Sequence, residues 1–182
     1  NIPYFFLQTD YFCPKEGIVL DPFCGTGTVM LESNISGRKA LGADANPLAV
    51  LISQVKTTYV PSNELQATLS SVMTSARRSN TEITFSTKNI ERWFSSSTIQ
   101  QLARLEEAIS KIGNEKQRRF FMLTFSSIVK KVSFADPSIS VPVKLNPERL
   151  AKNSTRKKAA TFKLKTLQCI DVFEKFETIC KL

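Results

Sequence analysis

The residues VLDPFCGTGT, 19 to 28, join an acid, a proline and two glycines at the end of an apolar run. A second acid, Asp44, lies 17 residues beyond Gly27. Glycine pairs between an apolar run and a helical pattern bring backbone close to a ligand, and the helix start offers free amides to an anion. Two phosphate-binding signatures fail here. A P-loop requires Gly-Lys-Ser/Thr, whereas Gly27 is followed by Thr28 and Val29. The dinucleotide fingerprint requires a third glycine where this chain has Met30.

What survives is a site without pyrophosphate. Gly25 and Gly27 allow close approach, and the helix beginning at Thr28 offers amides to a carboxylate. Asp44 can accept hydrogen bonds from two ribose hydroxyls, and Asp21 favours a neighbouring positive centre. Ribose, carboxylate and cation without phosphate describe S-adenosylmethionine.

These residues resemble a family. VLDPFCGTGTVMLES followed by GRKALGADANPLAVLISQVK is similar to the cofactor-binding half of S-adenosylmethionine-dependent DNA amino-methyltransferases, which methylate adenine N6 or cytosine N4. Their first motif is reproduced by Asp21, Pro22, Phe23, Gly25, Gly27 and Thr28, and their second-strand acid falls in Gly42, Asp44 and Pro47. The resemblance implies that these residues of the first motif, with Asp44 and the adjacent Ala45, hold the cofactor. It covers about residues 2 to 57, and IPYFFLQTDYF resembles the helix that precedes the first motif in that family.

The family's catalytic tetrapeptide, a polar residue followed by Pro-Pro and an aromatic, is not in this chain. ADPS at 135–138 and LNPE at 145–148 lack both the second proline and the ring. No catalytic residue is assigned, and the chain alone is expected to be inactive. DNA and the remaining methyltransferase, as further chain or as a partner subunit, are the expected partners. Two other readings stay open: an RNA guanosine N2-methyltransferase, whose class also carries DPFCGTGT, and a non-catalytic nucleic-acid-binding subunit with a degenerate methyltransferase fold. The biological setting is open too, with restriction-modification one of several possibilities.

The elements that must position the site follow from patterning. Residues 2 to 12 predict a short helix, and Ile18–Leu20 a buried parallel strand ending at Asp21. Residues 28–36 predict a helix with Val29, Leu31 and Ile35 inward and Gly37 as its cap. RKALGAD predicts a second strand, and NPLAVLISQVK a helix capped by Asn46 with Pro47 in its first turn. Strand, helix, strand, helix is the start of an α/β, partial Rossmann-like fold. A doubly wound sheet needs more strands than this, so further chain or a partner polypeptide is expected.

Downstream the pattern is mainly helical. PSNELQATLSSVMTSARR places Leu65, Leu69, Val72 and Met73 on one side, and EITFST is a weak strand candidate. Apolar residues at 99, 102, 105, 109 and 112 form a helical stripe. KQRRFFMLTFSSIVKKVSF predicts a buried helix whose phenylalanines, with Trp93, serve packing. FKLKTLQCIDVFEKFETICKL reads as one amphipathic helix with Leu167, Ile170, Phe173 and Phe176 on one face. The expected organisation is a cofactor-binding portion over 1–60, a helical insertion or support region over 61–143, and a basic segment with an amphipathic C-terminal helix over 144–182.

Composition bounds the class. The 182 residues suit a domain with a sizeable core, and no apolar run has the length of a membrane span. The first residue, Asn1, is not a methionine, so native sequence is expected upstream. The absence of histidine excludes histidine acid–base chemistry, and four unpaired-looking cysteines disfavour zinc and suit reduced thiols in a cytoplasmic protein. The net charge of +9 is uneven: residues 144–165 hold eight Lys and Arg against Glu148 alone. Such a segment is either a solvated loop or a contact for a polyanion.

Overall fold

A computed structural model describes residues 2–80, 85–139, 141–152 and 154–181. They form two compact units, Asn1–Ser62 with Asn114–Leu123, and Asn63–Gly113 with Thr124–Leu182.

The first unit contains α1 (Ile2–Leu7), β1 (Ile18–Asp21), α2 (Thr28–Ile35), β2 (Lys39–Gly42) and α3 (Pro47–Lys56). α1 stops at Leu7, five residues earlier than the sequence pattern suggests, and the rest of that segment is turn. β1 and β2 pair in parallel, Ile18 opposite Lys39 and Leu20 opposite Leu41. Period-two alternation therefore gives the sheet two different faces. Val19, Asp21, Ala40 and Gly42 face α2, where a Cβ on Gly42 would come within 2.9 Å of both Cys24 Cβ and Met30 Sδ. The other face carries Ile18, Leu20 and Leu41 at 61%, 70% and 61% exposure. The expectation of a buried strand is therefore corrected: among the described residues only one face of β1 is covered.

The inward face of α2 is also corrected. Met30 and Ser33 are buried, whereas Val29 and Leu31 are half-buried and Ile35 is exposed. Ser33 is tolerated inside because its hydroxyl donates to the Val29 carbonyl at 2.8 Å. α2 ends as expected, with Gly37 at φ 73° and its N–H on the Asn34 carbonyl. α3 begins as expected: the Asn46 side chain accepts the Leu48 N–H at 3.0 Å, and Pro47 occupies the first turn.

Arg38, which the sequence reading passed over, fastens the connection into β2. Its buried guanidinium donates through Nε and Nη2 to the Cys13 carbonyl at 3.0 and 2.8 Å, and Nη2 also reaches Asp10 at 3.0 Å. The planar fork suits one carbonyl approached by two nitrogens.

The second unit is helical: α4 (Ser62–Arg78), α5 (Ser96–Ser110), the latter part of α6 (Glu115–Val132), α7 (Thr155–Gln168) and α8 (Val172–Cys180). Leu69, Val72 and Met73 of α4 are buried together with Ala76, while Leu65 is half-buried. The α5 stripe holds at its centre, where Leu102, Leu105 and Ile109 are buried, and Ile99 and Ile112 are half-buried. α5 packs on α8, and the Val172 N–H donates to Gln101 Oε1 at 2.7 Å. Phe121, in the part of α6 that belongs to the first unit, is fully buried, as the core reading of the phenylalanines requires.

The single C-terminal helix expected from the sequence is two. α7 ends at Gln168, and Asp171 caps α8 by accepting the Phe173 and Glu174 N–H groups at 2.8 and 3.2 Å. An acid three residues past a helix end competes for the backbone and starts a new helix. Of the weak strand candidate over 82–87, residues 82–84 lie outside the described residues, and 85–87 are not strand. Among the described residues no helix is long and apolar enough to cross a membrane.

Candidate functional site

The two motifs meet at the carboxyl ends of the parallel strands. β1 delivers Asp21 to a tight loop and β2 delivers the chain to Asp44. Backbone bonds lock the two exits together: Ala43 N–H donates to the Asp21 carbonyl at 3.0 Å, and Cys24 N–H to the Ala43 carbonyl at 2.9 Å. Asp44 completes the join, with Oδ2 accepting the Gly25 N–H at 2.9 Å and Oδ1 accepting the Asn46 N–H at 2.8 Å. Each carboxylate oxygen has a second lone pair, so Asp44 retains capacity for two further donors.

The glycines differ in their work. Gly25 sits at φ 49°, and a Cβ there would meet nothing within 4 Å. Its bare face looks onto open space, where a ligand can come close. Gly27 sits at φ 78°, and a Cβ there would stand 2.2 Å from Ser53 Oγ and 2.8 Å from Ser53 Cα. Gly27 thus lets the start of α2 seat against α3, in addition to any role toward a ligand. A third tie, Lys56 Nζ to the Thr26 carbonyl at 2.9 Å, anchors the loop tip to the end of α3.

Asp21 is half-buried, and its Oδ1 accepts the Phe23 N–H at 3.1 Å, which sets the turn after Pro22. Phe23 is 87% exposed beside Asp21. Gly27 is the N-cap of α2 and brings no side-chain oxygen to the helix start at Thr28. The first-turn amides of α2 therefore receive no side-chain cap, and the positive end of the helix suits a carboxylate. Ala45 is exposed between Asp44 and the α3 cap. Of the predicted residues, Asp21, Pro22, Phe23, Gly25, Gly27, Thr28, Asp44 and Ala45 all lie on this loop pair, and Asp44 bonds directly to the first motif.

A cavity of about 200 Å³ lies behind the loop, among Cys24, Met30, Gly42, Val50 and Ser53, and none of the predicted residues lines it. It is smaller than the roughly 300–1,000 Å³ of small-molecule sites. Chemistry directs attention instead to the open side of the loop, where Gly25, Asp21 and Asp44 present acceptors and bare backbone.

The two near-matches to the catalytic tetrapeptide are occupied locally. Asp136 accepts both the N–H and hydroxyl of Ser138, at 2.9 and 2.6 Å, which holds its carboxyl below the usual range. Asn146 accepts the Glu148 N–H at 3.0 Å and caps a short 3-10 turn. Both side chains serve as turn caps.

Comparison with known proteins agrees with the motifs. Residues 10–55 match the N6/N4 family model described as DNA methylase. The chain is 28% identical over 146 residues to the Type II methyltransferase M.MvaI of Kocuria varians, a match spanning 75% of this chain and 32% of that protein. No solved structure matches it. Residues 10–55, which hold both the loop and its partner acid, are thus the part of this chain that is similar to the N6/N4 DNA methylase family.

Proposed function

We propose that residues 1–60 are the S-adenosylmethionine-binding portion of an enzyme that methylates an exocyclic amino group of adenine or cytosine in DNA. In this reading β1 and β2 are the first pair of a Rossmann-like sheet. Residues 61–143 support it, and 144–182 carry the basic segment. The observation that carries the reading is the Gly25 N–H to Asp44 Oδ2 bond, which joins two motifs 19 residues apart. It builds one ligand shelf from both strand ends, where ligands bind in open parallel α/β sheets.

The residues present fit the cofactor. Asp44 keeps acceptor capacity for both ribose hydroxyls, Asp21 offers negative charge beside the loop, and the α2 start suits the carboxylate. When bound, S-adenosylmethionine supplies an activated methyl group for in-line displacement by the target amine. This chain's share is to orient: rigid backbone bonds fix the loop before ligand arrives, which lowers the ordering cost of binding. The acceptors for the target amine belong to the family's catalytic tetrapeptide, and the remainder of the enzyme would provide them. The exposed apolar face of Ile18, Leu20 and Leu41 supports further polypeptide covering this sheet.

Calorimetry with S-adenosylmethionine tests the reading on the chain and on Asp44→Ala. We expect weak binding by the chain and at least tenfold weaker binding by the variant. Equal affinities would remove Asp44 from the site. Asp44→Asn keeps only one of the two loop bonds, because its amide nitrogen cannot accept an N–H, so loop amide protection is measured beside affinity in both variants to separate ribose contact from loop disruption.

A further inference from the structure

In the second unit α7 turns the basic segment into an ordered surface. Lys157, Thr161 and Lys165 recur every four residues, and Lys158 and Phe162 run beside them. With Lys152 they line a hollow of about 510 Å³. Ala160 and Leu167 are buried, so the helix is held by a different face and this one stays outward. Glu148 pairs with Lys157 at 3.1 Å, and none of the hollow's lining residues is acidic.

Two features run against what folding alone favours. The first turn of α7 holds Arg156, Lys157 and Lys158 and no acid, although cations are disfavoured at the positive end of a helix. Phe162 is 73% exposed in the middle of the lysines. A bound polyanion reverses the first cost, and a ring set among ammoniums suits the carbon face of a sugar between phosphates.

We propose that this face of α7 docks the phosphate backbone of duplex DNA, with Lys152, Lys158 and Lys165 each meeting a phosphate and Phe162 lying against deoxyribose. The proposal rests on DNA being the substrate of the enzyme described above. From Lys158 to Lys165 the helix advances about 10.5 Å at 1.5 Å per residue. Laid along the duplex, that matches about three base-pair steps at about 3.4 Å of DNA axis each.

Fluorescence anisotropy of a labelled 20-base-pair duplex with the full chain tests it, over 50 to 200 mM salt. Three phosphate contacts give a log–log slope of about −2.7, or about 40-fold weaker binding across that range. Lys158→Gln with Lys165→Gln lowers the slope to about −0.9, leaving about 3- to 4-fold. Lys116→Gln with Lys175→Gln removes the same charge elsewhere and leaves the slope unchanged. Equal losses in the two double variants would overturn the proposal in favour of diffuse attraction by net charge. Tighter binding of a single strand, abolished by Phe162→Ala, would overturn duplex docking in favour of base stacking. Calorimetry with S-adenosylmethionine on the α7 double variant should match the unmodified chain. A chain that shows the localised slope but binds no cofactor would refute the cofactor reading and leave the α7 surface standing.

Discussion

Substituting each loop glycine by alanine separates the two jobs the loop performs. Gly25 and Gly27 both have positive φ, so alanine costs about 1–2 kcal/mol at either position. At Gly25 nothing else is added, because no atom lies within 4 Å of the new Cβ. At Gly27 the new Cβ would stand 2.2 Å from Ser53 Oγ and 2.7 Å from Ser53 Cβ. Overpacking of this kind costs about 1–3 kcal/mol more, for a total of about 2–5 kcal/mol. Amide hydrogen exchange of α2 and α3 is the assay, since it reads the opening of this unit directly. At about 1.4 kcal/mol per tenfold, Gly27→Ala lowers protection by at least about 30-fold, and Gly25→Ala by less. Ser53→Gly added to Gly27→Ala recovers part of the loss beyond the effect of Ser53→Gly alone. Cofactor affinity sorts the other way, falling in Gly25→Ala even where α3 protection is nearly kept. Equal protection losses at the two glycines, or no recovery with Ser53→Gly, would refute the packing role assigned to Gly27.

Other positions give independent checks. Arg38→Ala leaves the Cys13 carbonyl and Asp10 without the buried guanidinium and costs about 3 kcal/mol, measured by exchange at β2. Arg38→Lys recovers less than half, because one ammonium cannot replace the fork. Asp171→Ala removes the α8 cap and costs about 1 kcal/mol in urea unfolding followed by Trp93 fluorescence, while Asp171→Asn costs only a few tenths. Burial pushes the Cys180 thiol up from 9.0 to about 12. At pH 8 the exposed Cys169 is modified by a thiol reagent well before Cys180. Because the folded-state value is the raised one, the Cys180 contribution is complete below pH 9 and is lost as pH rises from 9 towards 12. Equal modification rates, or the same loss of stability over that range in Cys180→Ser as in the unmodified chain, would contradict this.

Much of the loop and helix-end geometry was legible in the sequence because it is set locally. Asn46 and Pro47 signal a helix start through one side-chain oxygen and one missing N–H, and Gly37 signals a stop through its φ. The order of Asp21, Gly25, Gly27 and Asp44 was readable for the same reason. What could not be read depends on neighbours distant in sequence. The inward face of α2 is set by which residues meet β2, so Met30 and Ser33 displaced Val29 and Ile35. Nothing local to Gly27 reveals Ser53, and nothing in GRKAL reveals that Arg38 reaches back to Cys13. The exposure of Ile18 and Leu20 was missed because an apolar run indicates what a strand needs covered, not whether this chain covers it.

The central claim is that the loop after β1 and the acid after β2 together form one wall of an S-adenosylmethionine site. Titrating the isotopically labelled chain with S-adenosylmethionine, and separately with inorganic phosphate, while following backbone amide resonances tests it most directly. The account predicts saturable shifts at residues 23–28 and 44–46 with S-adenosylmethionine, and none there with phosphate. Shifts at those residues with phosphate alone, or S-adenosylmethionine shifts confined to other parts of the chain, would contradict it.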